Sequence, residues 1–186
     1  MANPAASKPN RSIVDITEII LSQHAEQRRL FALLDEVEPH DSDSLGPVWD
    51  QLATALELHA KAEEELFYPA LLELGTGAGG EDSATEETTD AIKDHNEIRD
   101  GVRAAAGQMV GSDEWWAAVT KTREANSDHM AEEEREDLAD FRRHADLSTR
   151  HQLAVAFVVY GARHSSGVAA EDEDPEDWVQ EHNRSS

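Results

Sequence analysis

Two short stretches, His59-Ala60-Lys61-Ala62-Glu63 and His129-Met130-Ala131-Glu132-Glu133, each set an imidazole four residues ahead of a carboxylate. On a helix that spacing puts both groups on one face, about one turn apart. Stacked in this way, a histidine and a glutamate can grip one metal ion, or two neighbouring ones, from the same helix. A single pair among 40 acidic residues would be chance on a charged surface. The recurrence carries the weight.

Two further histidines complete the pattern. His24-Ala25-Glu26-Gln27-Arg28 and His95-Asn96-Glu97-Ile98-Arg99 both read H-x-E-x-R, and each precedes a His-x3-Glu pair by about 35 residues. Two helical hairpins with matching histidines imply a four-helix bundle with a pseudo-twofold site between them. The candidate ligands are His24, His59, Glu63, His95, His129 and Glu133. They would seat two metals, each with two histidines, with the glutamates bridging. Four nitrogen and two oxygen donors with open positions suit iron or manganese better than structural zinc, which prefers a closed four-ligand shell. A lone histidine on an apolar stripe is more often a hydrogen-bonded core residue. Four that all interrupt the expected inner face each carry a desolvation cost unless paired or ligated. Arg28 and Arg99, one turn past His24 and His95, read as solvent-exposed ion pairs, with orientation of a ligand carboxylate as the alternative. His40, His144, His151, His164 and His182 lack the pattern and read as surface residues.

These residues need helices to position them, and helical periodicity runs through the chain. The expected organisation is an arm over 1–11, a helical bundle over 12–164 and an acidic tail over 165–186. Within the bundle, hairpins over about 12–74 and 83–142 are followed by a further helix over 146–164. Helix A, capped by Ser12, carries Ile13, Ile16, Ile20, Phe31 and Leu34 with His24 inside that stripe. Gly46-Pro47 signals the start of helix B, which holds Val48, Leu52, Leu56, His59, Glu63 and Leu66 and is kinked or ended by Pro69. Ser83 with Glu86 forms a capping signature for helix C, whose stripe is Thr88, Ala91, His95, Ile98, Val102 and Met109. Gly111-Ser112 turns the chain into helix D, with Trp115, Val119, Thr122, His129 and Glu133. Asp146 or Ser148 caps the fifth helix. The tail reads as mobile, with Trp178 and Val179 as docking residues.

Composition narrows the function. The chain of 186 residues suits one packed domain. It has no cysteine, which excludes disulfides, thiolate sites and iron–sulfur clusters. A net charge of −24 argues against nucleic acid and anionic membrane surfaces. No apolar run spans a bilayer, and the N-terminus lacks a signal-peptide core, so a cytoplasmic protein is expected.

Taken together, His24, His59-x3-Glu63, His95 and His129-x3-Glu133 resemble the hemerythrin (HHE) family of four-helix-bundle non-heme di-iron proteins. The resemblance implies an all-α, antiparallel up-and-down bundle holding two irons, oxo- or hydroxo-bridged, with manganese or zinc able to substitute. It further implies that the centre meets O2, peroxide or NO in stress handling or sensing. Arg99 stands where oxygen-carrying hemerythrins place a second histidine on the third helix. Their fourth helix uses His-x4-Asp, a spacing at which this chain offers Glu134. A further ligand is therefore open between His151, Glu134 and a tyrosinate from Tyr68 or Tyr160. These departures favour sensing, peroxide handling or iron storage over simple oxygen carriage, and a catalase-like, peroxide-consuming activity is one form left open. The alternative is a non-catalytic iron-responsive or iron-storing module that engages a protein partner through its acidic tail. A monomer or a homodimer fits either reading.

Overall fold

The computed structural model describes residues 13–78, 83–169 and 171–183. The expected arm, the Ser12 cap and the tip of the glycine-rich connection lie outside them. Among the described residues the structure is helical without strands: α1 Ile16–Glu36, α2 Ser42–Ala62, α3 Tyr68–Leu74, α4 Ala84–Ala106, α5 Asp113–Arg135, α6 Asp137–His144, α7 Leu147–Arg163 and α8 Pro175–Asn183. The α1–α2 and α4–α5 hairpins form the up-and-down bundle. None of these helices is long and apolar enough to cross a membrane.

Helix starts follow side-chain caps that satisfy the first free N–H groups. Asp15 caps α1, accepting from the Thr17 amide at 3.0 Å. Asp41, not Gly46, caps α2, so Pro47 lies inside the helix. A cap contact on Ser44 outweighs the Gly-Pro start signal, and the proline removes only one bond near the first turn. Ser83 and Glu86 form the expected reciprocal capping box, Ser112 caps α5 and Asp146 caps α7.

The second helix of each hairpin is interrupted just past its Glu-Glu pair. Between α2 and α3, Glu63–Phe67 forms a π-helical turn, and the Tyr68 amide bonds back to the Glu63 carbonyl. Pro69 neither ends nor simply kinks the chain here. Its missing N–H leaves the Glu65 carbonyl without an i+4 donor, and the wider turn absorbs the mismatch. In the other hairpin α5 stops at Arg135, and Glu136 turns the chain into α6. That second break carries no proline or glycine.

Two apolar clusters fill the bundle, one toward each end. Ile16, Ile20, Phe67, Tyr68, Ile92, Phe141 and Phe157 build the first. Leu30, Leu34, Trp49, Leu52, Ile98, Trp115 and Val119 build the second, where Trp49 meets Trp115 edge-on. The expected stripes hold except at two ends: Ile13 is half exposed, and Met109, beyond the end of α4, is 78% exposed. α7 packs on α1 and α2 while presenting Val155, Val158 and Val159 outward. Over its described length the tail forms α8, which docks by Trp178 and Val179. Asp172 pairs with Arg103, and Glu173 pairs with Lys61. Local charge pairing and an aromatic anchor outweigh the acidic composition.

Candidate metal centre

Between the two apolar clusters lies a buried polar layer. α1 supplies His24, α2 His59, α4 His95 and α5 His129, and all four are at most 5% exposed. Glu63 stands where α2 passes into the π-helical turn, and Glu133 stands near the end of α5, each at most 1% exposed.

The Nε2 atoms converge. That of His24 lies 3.0 Å from Glu133 Oε2 and 3.1 Å from His59 Nε2. His59 Nε2 is 3.1 Å from Glu63 Oε1. On the other side, His95 Nε2 is 3.4 Å from Glu63 Oε2 and 3.2 Å from His129 Nε2. Two overlapping donor sets result. One is His24, His59, Glu63 and Glu133; the other is Glu63, His95 and His129; within each, the donor atoms lie inside 4.8 Å of one another. Glu63 belongs to both, offering one oxygen to each pair. All six residues singled out by spacing are thus brought together.

Each imidazole is held from behind. His24 Nδ1 lies 2.9 Å from Glu134 Oε1, His59 Nδ1 2.7 Å from Gln23 Oε1, and His95 Nδ1 3.0 Å from Glu64 Oε1. His129 Nδ1 faces Asp94 at 3.6 Å. For His24, His59 and His95 these partners are acceptors within bonding reach, so in the neutral ring Nδ1 carries the proton and Nε2 keeps its lone pair, as a metal ligand requires. Lone pairs and carboxylate oxygens then face one another. Both oxygens of Glu63 and Oε2 of Glu133 are buried without a hydrogen-bond donor. Such a cluster is mutually repulsive until a cation sits among it, and the donor set fits that use.

The electrostatics agree. Burial, reinforced by the neighbouring imidazoles, pushes His59 well below its usual range, and burial likewise lowers His95. Burial also pulls His24 down, but Glu133 and Glu134 together outweigh it and leave His24 raised. Glu63 is pushed well up, first by burial and then by Glu133. Glu64 is also buried, yet its bonds to His95 and Arg99 overcome that penalty and bring it down to about 2. Glu64 is therefore a permanent anion behind His95.

The arginines act through these carboxylates. Arg99 is 1% exposed and donates to Glu64 Oε1. Arg28 donates to Glu134 Oε1 at 2.8 Å but is largely exposed. Solvent pairing therefore describes Arg28 in part and does not describe Arg99. In both hairpins a buried histidine, a carboxylate from another helix and an arginine one turn along form a chain. Gln23 and Asp94, which the sequence reading passed over, directly precede His24 and His95 and serve the second histidine of each hairpin.

The other candidates separate. Glu134 stands behind His24. His151 Nδ1 meets the Val14 carbonyl, and Tyr160 packs on His164. Tyr68 lies at the centre, its hydroxyl donating to Glu133 Oε1 at 3.4 Å. Burial, with Glu133 and Glu63 adding to it, pushes the phenol well up and favours Tyr68 as a proton donor to Glu133. An apolar cavity of about 150 Å³ lies behind His59, lined in part by Leu58 and Phe157.

Residues 15–141 match the Hemerythrin HHE cation binding domain family. Among solved structures, a Hemerythrin HHE cation binding domain-containing protein from Mycobacterium kansasii has the same fold, with a TM-score of 0.65 at 17% identity, over 90% of this chain and 98% of that one. No curated protein matches the sequence. With about two thirds of its length matched, the chain belongs to the hemerythrin HHE cation-binding domain family.

Proposed function

We propose that the six residues hold two iron ions and that the protein binds and reacts with O2, peroxide or NO. His24, His59 and Glu133 would hold one ion, and His95 and His129 the other, with Glu63 between them. The observation that carries the reading is the double facing of Glu63, one oxygen toward each histidine pair. Bound iron would supply one-electron chemistry and an open position for a small ligand. The chain itself fixes ring orientation through Gln23, Glu64, Asp94 and Glu134, excludes bulk water with the two apolar clusters, and holds a proton on Tyr68 beside Glu133.

Metal analysis with an absorption spectrum, before and after peroxide, tests this. The expected result is about two irons per chain and a band near the ultraviolet edge that changes with peroxide. Protein grown with ample iron that contained no transition metal would overturn it. The second reading is an iron-responsive module working through its acidic tail, and loss of partner binding on deleting residues 165–186 would favour it. Within that tail, Asp172 and Glu173 pair with Arg103 and Lys61 of the same chain while staying more than a third exposed.

A further inference from the structure

A crevice between α4, α5 and the start of α6 runs to the metal centre, and its walls are nearly all carboxylate. Glu87, Asp90, Asp94, Glu132, Glu136 and Asp137 line a cavity of about 30 Å³, with His129 and Glu133 part of the same lining. That space admits a water or two, or a bare cation, but no organic molecule. No lysine or arginine lines it. Arg135 pairs with Glu136 at the rim.

An acidic crevice alone would mean little in so acidic a chain. Asp137 separates this one from ordinary surface. It is 4% exposed, its carboxylate bonded by its own backbone amide and crowded by the like charges of Glu133, Glu87 and Glu136. A carboxyl group buried among carboxylates can ionise there only with a counter-charge at hand. It lies four residues beyond Glu133 and lines the same cavity as His129 and the exposed Asp90 and Glu132.

We propose that this crevice is the loading path of the metal centre, and that Asp137 with the mouth residues Asp90 and Glu132 forms a transient site for a divalent cation. The inference rests on the metal-centre reading above. Converging carboxylates in a low-dielectric crevice focus the field and raise the local cation concentration. Their hard oxygens replace the water of a hydrated ion, and His129 and Glu133 at the inner end then take it over.

The test is the rate at which metal-stripped, full-length protein takes up cobalt(II), followed by its visible absorption at about 10 mM and about 150 mM salt. Asp90→Asn with Glu132→Gln should load about tenfold more slowly at low salt, with a smaller deficit at high salt and unchanged final stoichiometry. Asp137→Asn should slow loading at both salts. The control, Asp113→Asn with Glu114→Gln, removes the same charge about 27 Å away on α5 and should load at the wild-type rate. Mouth variants that load as fast as wild type would overturn the path, and so would mouth and control variants slowed equally, since only the global field would then be at work. Wild-type protein that took up no cobalt would instead overturn the metal centre itself.

Discussion

Arg99 donates to Glu64 across the α4–α2 interface, and through that carboxylate it reaches the Nδ1 of His95. Its counterpart in the other hairpin, Arg28, does the same for His24 through Glu134, but at the surface. The two arginines should therefore differ sharply. Arg99→Met leaves Glu64 buried without its guanidinium and should cost about 3–5 kcal/mol in denaturant unfolding. Arg28→Ala should stay within about 1 kcal/mol. Equal losses would mean that Arg99 is not the buried anchor described above.

Metal content should follow position in the site. His59→Ala and His129→Ala each delete a proposed ligand and should remove most bound iron, whereas Glu63→Ala should leave at most one ion, because each oxygen faces a different histidine pair. Glu64→Ala, which only frees His95 from behind, should weaken affinity by about 10–100-fold without abolishing binding. His164→Ala should change nothing. Elemental analysis with chelator competition measures all five, and full iron in both histidine variants would discard the assignment.

The inner residues were legible because imidazoles interrupting apolar stripes at helical spacing have few innocent explanations, and because the pattern occurs twice. Their supports were not. Gln23 and Asp94 carry no periodic mark, although aligning the two halves puts each directly before the first histidine. Arg99 looked exposed because arginine usually is, and only Glu64 arriving from another helix makes its burial tolerable. The interruptions after both Glu-Glu pairs were half visible. Pro69 announced one of them, while the turn at Glu136 has no residue-level signal. For α8, the docking residues Trp178 and Val179 were legible as apolar exceptions in an acidic tail, and the helix around them was not.

Close packing of α4 on α5 depends on Gly101. A Cβ there would lie 2.3 Å from Thr122 Oγ1 and 3.2 Å from the Thr122 Cα, so backbone as well as side chain must give way. The gain in helix propensity from Gly101→Ala, about 1 kcal/mol, should be outweighed, for a net loss of about 1–3 kcal/mol. Gly101→Ala combined with Thr122→Ser, which removes a methyl but keeps the hydroxyl, should not restore stability. Combination with Thr122→Ala should restore part of it, because the hydroxyl oxygen makes the closest contact. Urea titration of the three variants decides.

The metal-free chain should lose stability as pH rises above about 6.5, and metal should remove that dependence. His59 and His95 have folded values below the ordinary imidazole range. Their unfolded forms bind more protons just below pH 6.5, so their destabilising effect is confined to acid and has ended by neutrality. His24 is raised, so its contribution is complete below about 6.5 and fades as pH climbs through its folded value. Glu63 and Asp137 are both pushed well up, by burial first and Glu133 second. Once unfolded they ionise freely near pH 4, while folded they resist, which again lowers stability as pH rises. The contributions of His24, Glu63 and Asp137 share one sign. Thermal melts of chelator-stripped protein should therefore fall by a few degrees between pH 6.5 and 8.5. The iron-loaded form should stay flat or rise, because bound cations favour deprotonated ligands. A stripped protein whose melting temperature climbed through that interval would show that the buried carboxylates are not held as the structure places them.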